Sequence, residues 1–190
     1  MPSLLITTSR RTSNRVRSFA RDLWSVLPGT ERFNRGSMSV EELVSRIRQS
    51  GAKAALVISI WKGNPGELIL LSTNGNELLK IRLDSALLRR ETNPTFRNRI
   101  EGIDCICVKS GSSTKVMNIA QDFASLLEIP LQDHQTPSDL LNKTNRSALW
   151  FDDAPAGKIL WTHYATKDAA EIGPRIKIST VWRGTENESE

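Results

Sequence analysis

Two stretches one hundred residues apart decide the fold: NRVRSFARDLWSVL at residues 14–27 and TKVMNIAQDFASLL at residues 114–127. In the first, Val16, Phe19, Ala20, Leu23 and Leu27 recur at the spacing that lines one face of a helix. In the second, Val116, Ile119, Ala120, Phe123 and Leu127 do the same, with Asp122 standing where Asp22 stands in the first. The flanks agree. Leu4–Thr8 reads as a short buried strand that turns through polar residues 9–13 into the first helix, with Thr12 or Ser13 placed to cap it. Residues 104–109 lead through polar residues 110–114 into the second helix in the same way.

Working outward, Pro28 and Gly29 stop the first helix, and a short extra strand fits residues 31–34. Ser39 and Glu42 form a capping box that opens a helix running to about Gln49, with Gly51 just beyond its end. Residues 54–61 read as an apolar strand, 62–66 as a turn, 67–72 as the returning strand and 77–84 as a third. Counterparts follow in the second half. Thr136 and Asp139 open another helix with Pro137 at its first position, residues 157–161 match 66–70, and residues 176–179 match 79–82. Agreement of several elements in one order predicts an internal duplication. The expected architecture is α/β, sandwich-like, with one domain over residues 1–185. It is made of an N-terminal half (1–92) and a C-terminal half (101–185) joined by a basic segment near residues 89–101. The tail, 186–190, is acidic and expected to be disordered.

Charge separates the two halves more sharply than pattern does. Residues 1–50 hold nine arginines, no lysine and four carboxylates, so this segment carries the whole net charge of +5. Residues 104–150, the matching part of the second half, hold four bases against five acids. A concentrated basic patch attracts a polyanion far better than dispersed charge, and arginine's planar fork suits phosphate. Because two similar scaffolds differ so much in arginine content, folding alone does not demand the arginines.

Other classes of function find little support. Cys105 and Cys107 alternate in an apolar run, where neighbouring side chains do not easily bridge; they are expected to be buried, reduced and inert, as in an intracellular protein. Together with His134 and His163, distant in sequence, they do not make a four-ligand zinc site, so no metal or cofactor is expected. Residues 110–115 lack the Gly-x4-Gly-Lys-Ser/Thr spacing of a phosphate-wrapping loop. Asp152 and Asp153 are the sole adjacent acid pair that invites a catalytic reading, and they fit a turn before Pro155 better. The chain start lacks the pattern of a signal peptide, and no run approaches a membrane span. The expectation is a cytoplasmic protein that is not an enzyme, with no membrane partner and no small-molecule substrate.

Three motifs carry a family resemblance: Leu5-Ile-Thr-Thr-Ser-Arg10 with the basic helix after it, Arg32-Phe-Asn-Arg-Gly36, and Glu171-Ile-Gly-Pro-Arg175 before an alternating strand. In this order they resemble the Brix-domain family of ribosome-biogenesis proteins over about residues 3–183, and the short archaeal members in particular. The resemblance implies a duplicated fold in which each half is similar to the anticodon-binding domain of class II aminoacyl-tRNA synthetases. It also implies binding of ribosomal RNA or its precursor during rRNA processing or subunit assembly, beside other assembly proteins, without catalysis. The alternatives are a protein-interaction scaffold, using the tryptophans at 24, 61, 150, 161 and 182, and a tRNA-binding module.

The candidate RNA-binding residues are Arg10, Arg11, Arg15, Arg17, Arg21, Arg32, Arg35 and Arg175, with Lys62, Arg89, Arg90, Arg97 and Arg99 in second rank. Arg17 and Arg21 point away from the apolar stripe of their helix, and Trp24 lies at its edge beside Arg17, where a base could stack. Arg10 and Arg11 sit where a strand turns into a helix N-terminus, a place that favours anions. Arg32 and Arg35 flank a turn at Gly36. Arg175 enters the last strand, either paired to a carboxylate or facing RNA.

Overall fold

The computed structural model describes residues 1–92, 98–142 and 144–184. The chain runs β1 (Leu4–Thr8), α1 (Asn14–Val26), β2 (Thr30–Arg32), α2 (Val40–Ser50), β3 (Ala54–Trp61), β4 (Asn64–Ser72) and β5 (Glu77–Leu87). A single helical turn, α3 (Arg89–Thr92), precedes β6 (Gly102–Lys109), α4 (Thr114–Leu127), β7 (Leu131–His134), β8 (Arg146–Ala154), β9 (Lys158–Ala165) and β10 (Arg175–Arg183). The ten strands form one sheet in the order β2-β1-β3-β4-β5-β10-β9-β8-β6-β7. From each edge inward the pairing follows the same course. β1 pairs in parallel with β2 and β3, β6 in parallel with β7 and β8, and every other pair is antiparallel. The two courses meet where β5 and β10 pair, Ala86 opposite Ile176.

Alternation along the strands sends Leu4 and Ile6 to one face and Leu5 to the other. On the first face lie α1 and α4, whose apolar stripes bury Val16, Phe19, Ala20 and Leu23, and Val116, Ile119, Ala120 and Phe123. These join one continuous core with Leu56, Ile81, Ile106, Leu149 and Ile178. Phe123 packs on Trp161 with ring centroids 4.7 Å apart, so α4 is anchored by aromatic contact across the sheet. On the opposite face α2 covers Leu5, Ala55 and Val57 through Leu43 and Ile47.

His163 lies wholly inside this core. Its Nε2 accepts from Trp161 Nε1 at 3.1 Å and its Nδ1–H donates to the Pro174 carbonyl at 3.0 Å. Burial pushes its pKa down to about 3, so the ring is neutral and fully hydrogen-bonded. Pro174 follows Gly173 through a cis peptide. Arg89 is also buried, 5% exposed, and donates to Ile172 O, Ser25 Oγ and Asn98 O at 3.0, 2.7 and 3.2 Å. It ties α1 to the segment before β10.

Several local expectations need correction. The first hairpin turns on Lys62 and Gly63 alone, both at positive φ, and β4 starts at Asn64; Pro65 is accommodated because the register shifts opposite it, between Ser59 and Ile60. The element opened by Thr136 and Asp139 is one 3-10 turn, Pro137–Leu140, not a helix like α2. Only Leu140 of that turn is buried, whereas α2 anchors both Leu43 and Ile47 a turn apart. Asp152 and Asp153 belong to β8, and the turn follows at Pro155–Gly157. Cys105 and Cys107 are joined by a disulfide, not separate thiols. An irregularity in β6 between Ile103 and Cys105 accompanies a Cα separation of 5.8 Å, within bridging range. The cysteines therefore give no argument for a reducing compartment. The disordered-tail expectation for 186–190 lies outside the described residues.

Candidate nucleic-acid interface

The turn from β1 into α1 builds a corner crowded with arginines. Ser9 N–H donates to Ile58 O at 2.9 Å, holding the chain against β3 as it leaves β1. Ser13 then caps α1: its hydroxyl accepts from Val16 N–H at 3.2 Å and donates to Gly63 O at 2.8 Å. Between these anchors the chain presents Arg10, Arg11 and Thr12. Across from them, the loop after β2 brings Arg35, whose Nε donates to Met38 O at 3.0 Å. Arg10, Arg17 and Arg35 line one shallow cleft with Ser9, Thr12 and Gly36. Thr12 Oγ1 is buried in this corner with no hydrogen-bond partner among the described residues. Arg35's pKa is lowered, first by burial and then by the nearby Arg10 charge. Like charges held this close in a partly dry cleft favour an anion between them.

The corresponding corner of the second half also buries an unpartnered hydroxyl, Ser112 Oγ, but differs in charge. At the N-terminus of α4, the Asp153 carboxylate accepts from Ser113 N–H and Ser113 Oγ at 2.7 and 2.6 Å, and these bonds hold its pKa down. Here an anion already occupies the helix N-terminus and comes from the chain itself. At α1 the matching partner of the capping serine is the Gly63 carbonyl, and the surrounding side chains are arginines. Asp152 lies 3.5 Å from Lys109, so the two aspartates act in separate contacts and do not converge as an acid–base pair.

The eight first-rank arginines do not share one role. Arg10, Arg11, Arg17 and Arg21 are exposed on the β1–α1 corner and along α1. Among the described residues Arg17 donates only to Asn14, its neighbour one turn back. Arg32 is half-buried on β2. Arg15, by contrast, makes a two-pronged pair with Glu91 at 2.8 and 3.0 Å and reaches Ala86 O, fastening α1 to α3. Arg175 makes a two-pronged pair with Glu171. Those two side chains are committed to the fold.

In second rank, Arg89 is the buried tie described above, and Arg90 and Lys62 are exposed. Arg97 lies outside the described residues. Arg99 stacks its guanidinium 4.2 Å from the Trp24 ring centroid and donates to Thr30 O. Trp24 is thus half-buried and already has a cation on its ring. Of the five tryptophans, Trp150 and Trp161 are core, while Trp61 and Trp182 remain exposed at 68% and 52%.

A third constellation escaped the sequence reading. His134 on β7 is distant from the cysteines in sequence but not in space: one ligand atom each from Cys105, Cys107 and His134 lies within 4.8 Å of the others. Strand pairing of β7 beside β6 brings them together, and no short motif signals it. His163 sits in the main core on the other side of the sheet, so four such ligands still do not assemble. Among the described residues, no helix is long and apolar enough to cross a membrane.

No family model matches the chain. A probable Brix domain-containing ribosomal biogenesis protein of Pyrococcus abyssi is 35% identical over 190 residues, covering 94% of this chain and 84% of the relative. A protein of the same description from Aeropyrum pernix K1 is 43% identical over a shorter stretch of 72 residues, 40% of its length. The bovine U3 small nucleolar ribonucleoprotein protein IMP4 is 25% identical, and the match spans 93% of this chain but 59% of that protein. Among solved structures, that of a probable ribosomal biogenesis protein from Aeropyrum pernix K1 superposes with a TM-score of 0.72 at 25% identity, covering 94% of this chain and 96% of that one. Mil, an archaeal Imp4-like protein, shares the fold at a TM-score of 0.65 and 19% identity.

Proposed function

Since this chain belongs to the Brix domain-containing ribosomal biogenesis proteins, we propose that it binds ribosomal RNA or its precursor during subunit assembly, and that it does so without catalysis. The observation that carries the reading is the contrast between the two helix N-termini. That of α4 holds the chain's own carboxylate, Asp153, whereas that of α1 faces Arg10, Arg17 and Arg35 with no carboxylate of the chain on its capping serine among the described residues. A site with this build takes an anion from outside, and a backbone phosphate fits a shallow, arginine-lined cleft. Arg11, Arg21 and Arg32 extend the positive surface, so an extended polyanion is better matched than a single small one.

The working site is therefore Arg10, Arg11, Arg17, Arg21, Arg32 and Arg35. Arg15 and Arg175 support the fold around it. The mirrored strand order from the two sheet edges supports an internal duplication of one α/β unit, a single domain made of two halves. IMP4 is described as a component of a U3 small nucleolar ribonucleoprotein, which favours a setting with both RNA and protein partners for this chain. The exposed Trp61 and Trp182 are the surface such a protein partner would use.

Crosslinking in cells followed by sequencing of the attached RNA tests the proposal. Enrichment of ribosomal RNA precursor fragments is expected. Enrichment of tRNA would replace it with the tRNA-binding reading, and recovery of protein partners with no RNA would replace it with the scaffold reading.

A further inference from the structure

Cys105 and Cys107 occupy alternate positions of β6, so both side chains leave the same face of the sheet, the face that carries Ala148, Trp150 and Leu140. β7 runs beside them in parallel, with Gln132 paired to Cys107 and His134 to Lys109. His134 thereby comes back over the cysteines, and the three ligand atoms lie within 4.8 Å of one another. The sulfurs are buried, at 1% and 0% exposure for the two residues, while His134 is half-buried at the rim. Trp150, edge-on to Tyr164, belongs to the same apolar cluster as the two cysteines.

A second observation bears on His134 itself. Its Nε2 lies 2.8 Å from Gln132 Oε1. An amide oxygen only accepts, so Nε2 carries the hydrogen and the lone pair is left on Nδ1. An imidazole oriented through one nitrogen by a carbonyl oxygen is prepared to ligate with the other. Two sulfurs and one such nitrogen form a soft donor set. Hard cations want oxygen; zinc and cuprous copper, with filled d shells, want this.

We propose that with its cysteines reduced the protein holds one thiophilic metal ion on Cys105, Cys107 and His134, leaving a fourth position to solvent or an outside ligand. The disulfide is the oxidised form of the same site, in which both sulfurs are committed to each other. Opening it takes two electrons and two protons. A phosphine supplies the electron pair: phosphine, water and disulfide give phosphine oxide and two thiols. Binding the ion then displaces both thiol protons.

The test is anaerobic titration of the phosphine-reduced full chain with cobalt(II), the spectroscopic stand-in for zinc. A thiolate-to-cobalt charge-transfer band in the near ultraviolet is expected, saturating at one ion per chain and erased by added zinc. Cys107→Ser should abolish the band. His134→Ala, at the half-buried rim where the fold is least at risk, should weaken cobalt affinity by at least about tenfold, and Gln132→Ala by roughly 10-fold to 100-fold through the lost orientation of the ring. The unreduced protein should show no band. Absence of the band in reduced protein with native circular dichroism would overturn the proposal. So would a band that survives Cys107→Ser, or that forms equally without reduction.

Discussion

His163 makes acid sensitivity of this fold a quantitative expectation. The ring is buried, accepts from Trp161, donates to Pro174 O, and has its pKa pushed down to about 3 from an ordinary 6.5. In the unfolded chain it protonates near its ordinary value, about 6.5. The folded pKa is the depressed one, so stability is fully present above about pH 6.5 and is lost as pH falls towards about 3, because only the unfolded state takes up the proton. At about pH 5 this amounts to a loss of about 2 kcal/mol from this one residue. His163→Gln keeps one acceptor and one donor in place of the ring without the titration. Urea unfolding of both proteins between about pH 7.5 and pH 4.5 isolates the effect, since every carboxylate contributes equally to the two curves. The wild-type curve should fall below the variant's slope by close to a tenfold change in equilibrium constant per pH unit below about 6. Parallel curves would mean that the buried neutral imidazole is not what the native state holds.

The remaining expectations follow from named contacts. Arg89→Met removes the buried hydrogen bonds to Ile172 O, Ser25 Oγ and Asn98 O; a loss of about 3 kcal/mol in chemical denaturation is expected, and a loss below about 1 kcal/mol would show that water replaces the guanidinium. Ser39→Ala breaks the capping box of α2, both of whose hydrogen bonds are present at 3.2 and 2.7 Å, and should cost about 1 kcal/mol. Arg15→Gln and Arg175→Gln should lower thermal stability while leaving RNA affinity within about twofold, because both guanidiniums are held by carboxylates of the chain. A large affinity loss from either, measured by filter binding on folded protein, would return them to the interface.

What was legible in the sequence follows the range of the physics involved. β1, β3 and α1 were readable because burial imposes period 2 and period 3.6 on consecutive residues, and the ends of α2 because Ser39 and Glu42 cap it locally. In the second half, Thr136, Pro137 and Asp139 mark where an element starts but say nothing of its length, and that element is a single 3-10 turn. The separation of the arginines into fold and site was not legible. Arg15 meets Glu91 at a separation of 76 residues, and Asp153 reaches α4 from a strand 40 residues away. The Cys105–Cys107–His134 cluster was missed for the same reason, since its third member arrives through the pairing of β7 with β6. Charge asymmetry between the halves, a property of composition, pointed to the β1–α1 corner without resolving which cations face outward.

The central claim is that the corner between β1 and α1 binds RNA through phosphates. The most direct measurement is the salt dependence of binding to a pre-ribosomal RNA fragment, for the wild type and for Arg10→Gln, Arg11→Gln, Arg17→Gln and Arg21→Gln combined. Neutralising about six phosphates predicts a wild-type slope of roughly −4 to −5 in log K against log salt, and loss of four should make it shallower by about 3 with a large drop in affinity. An unchanged slope and affinity in the folded variant would contradict the account.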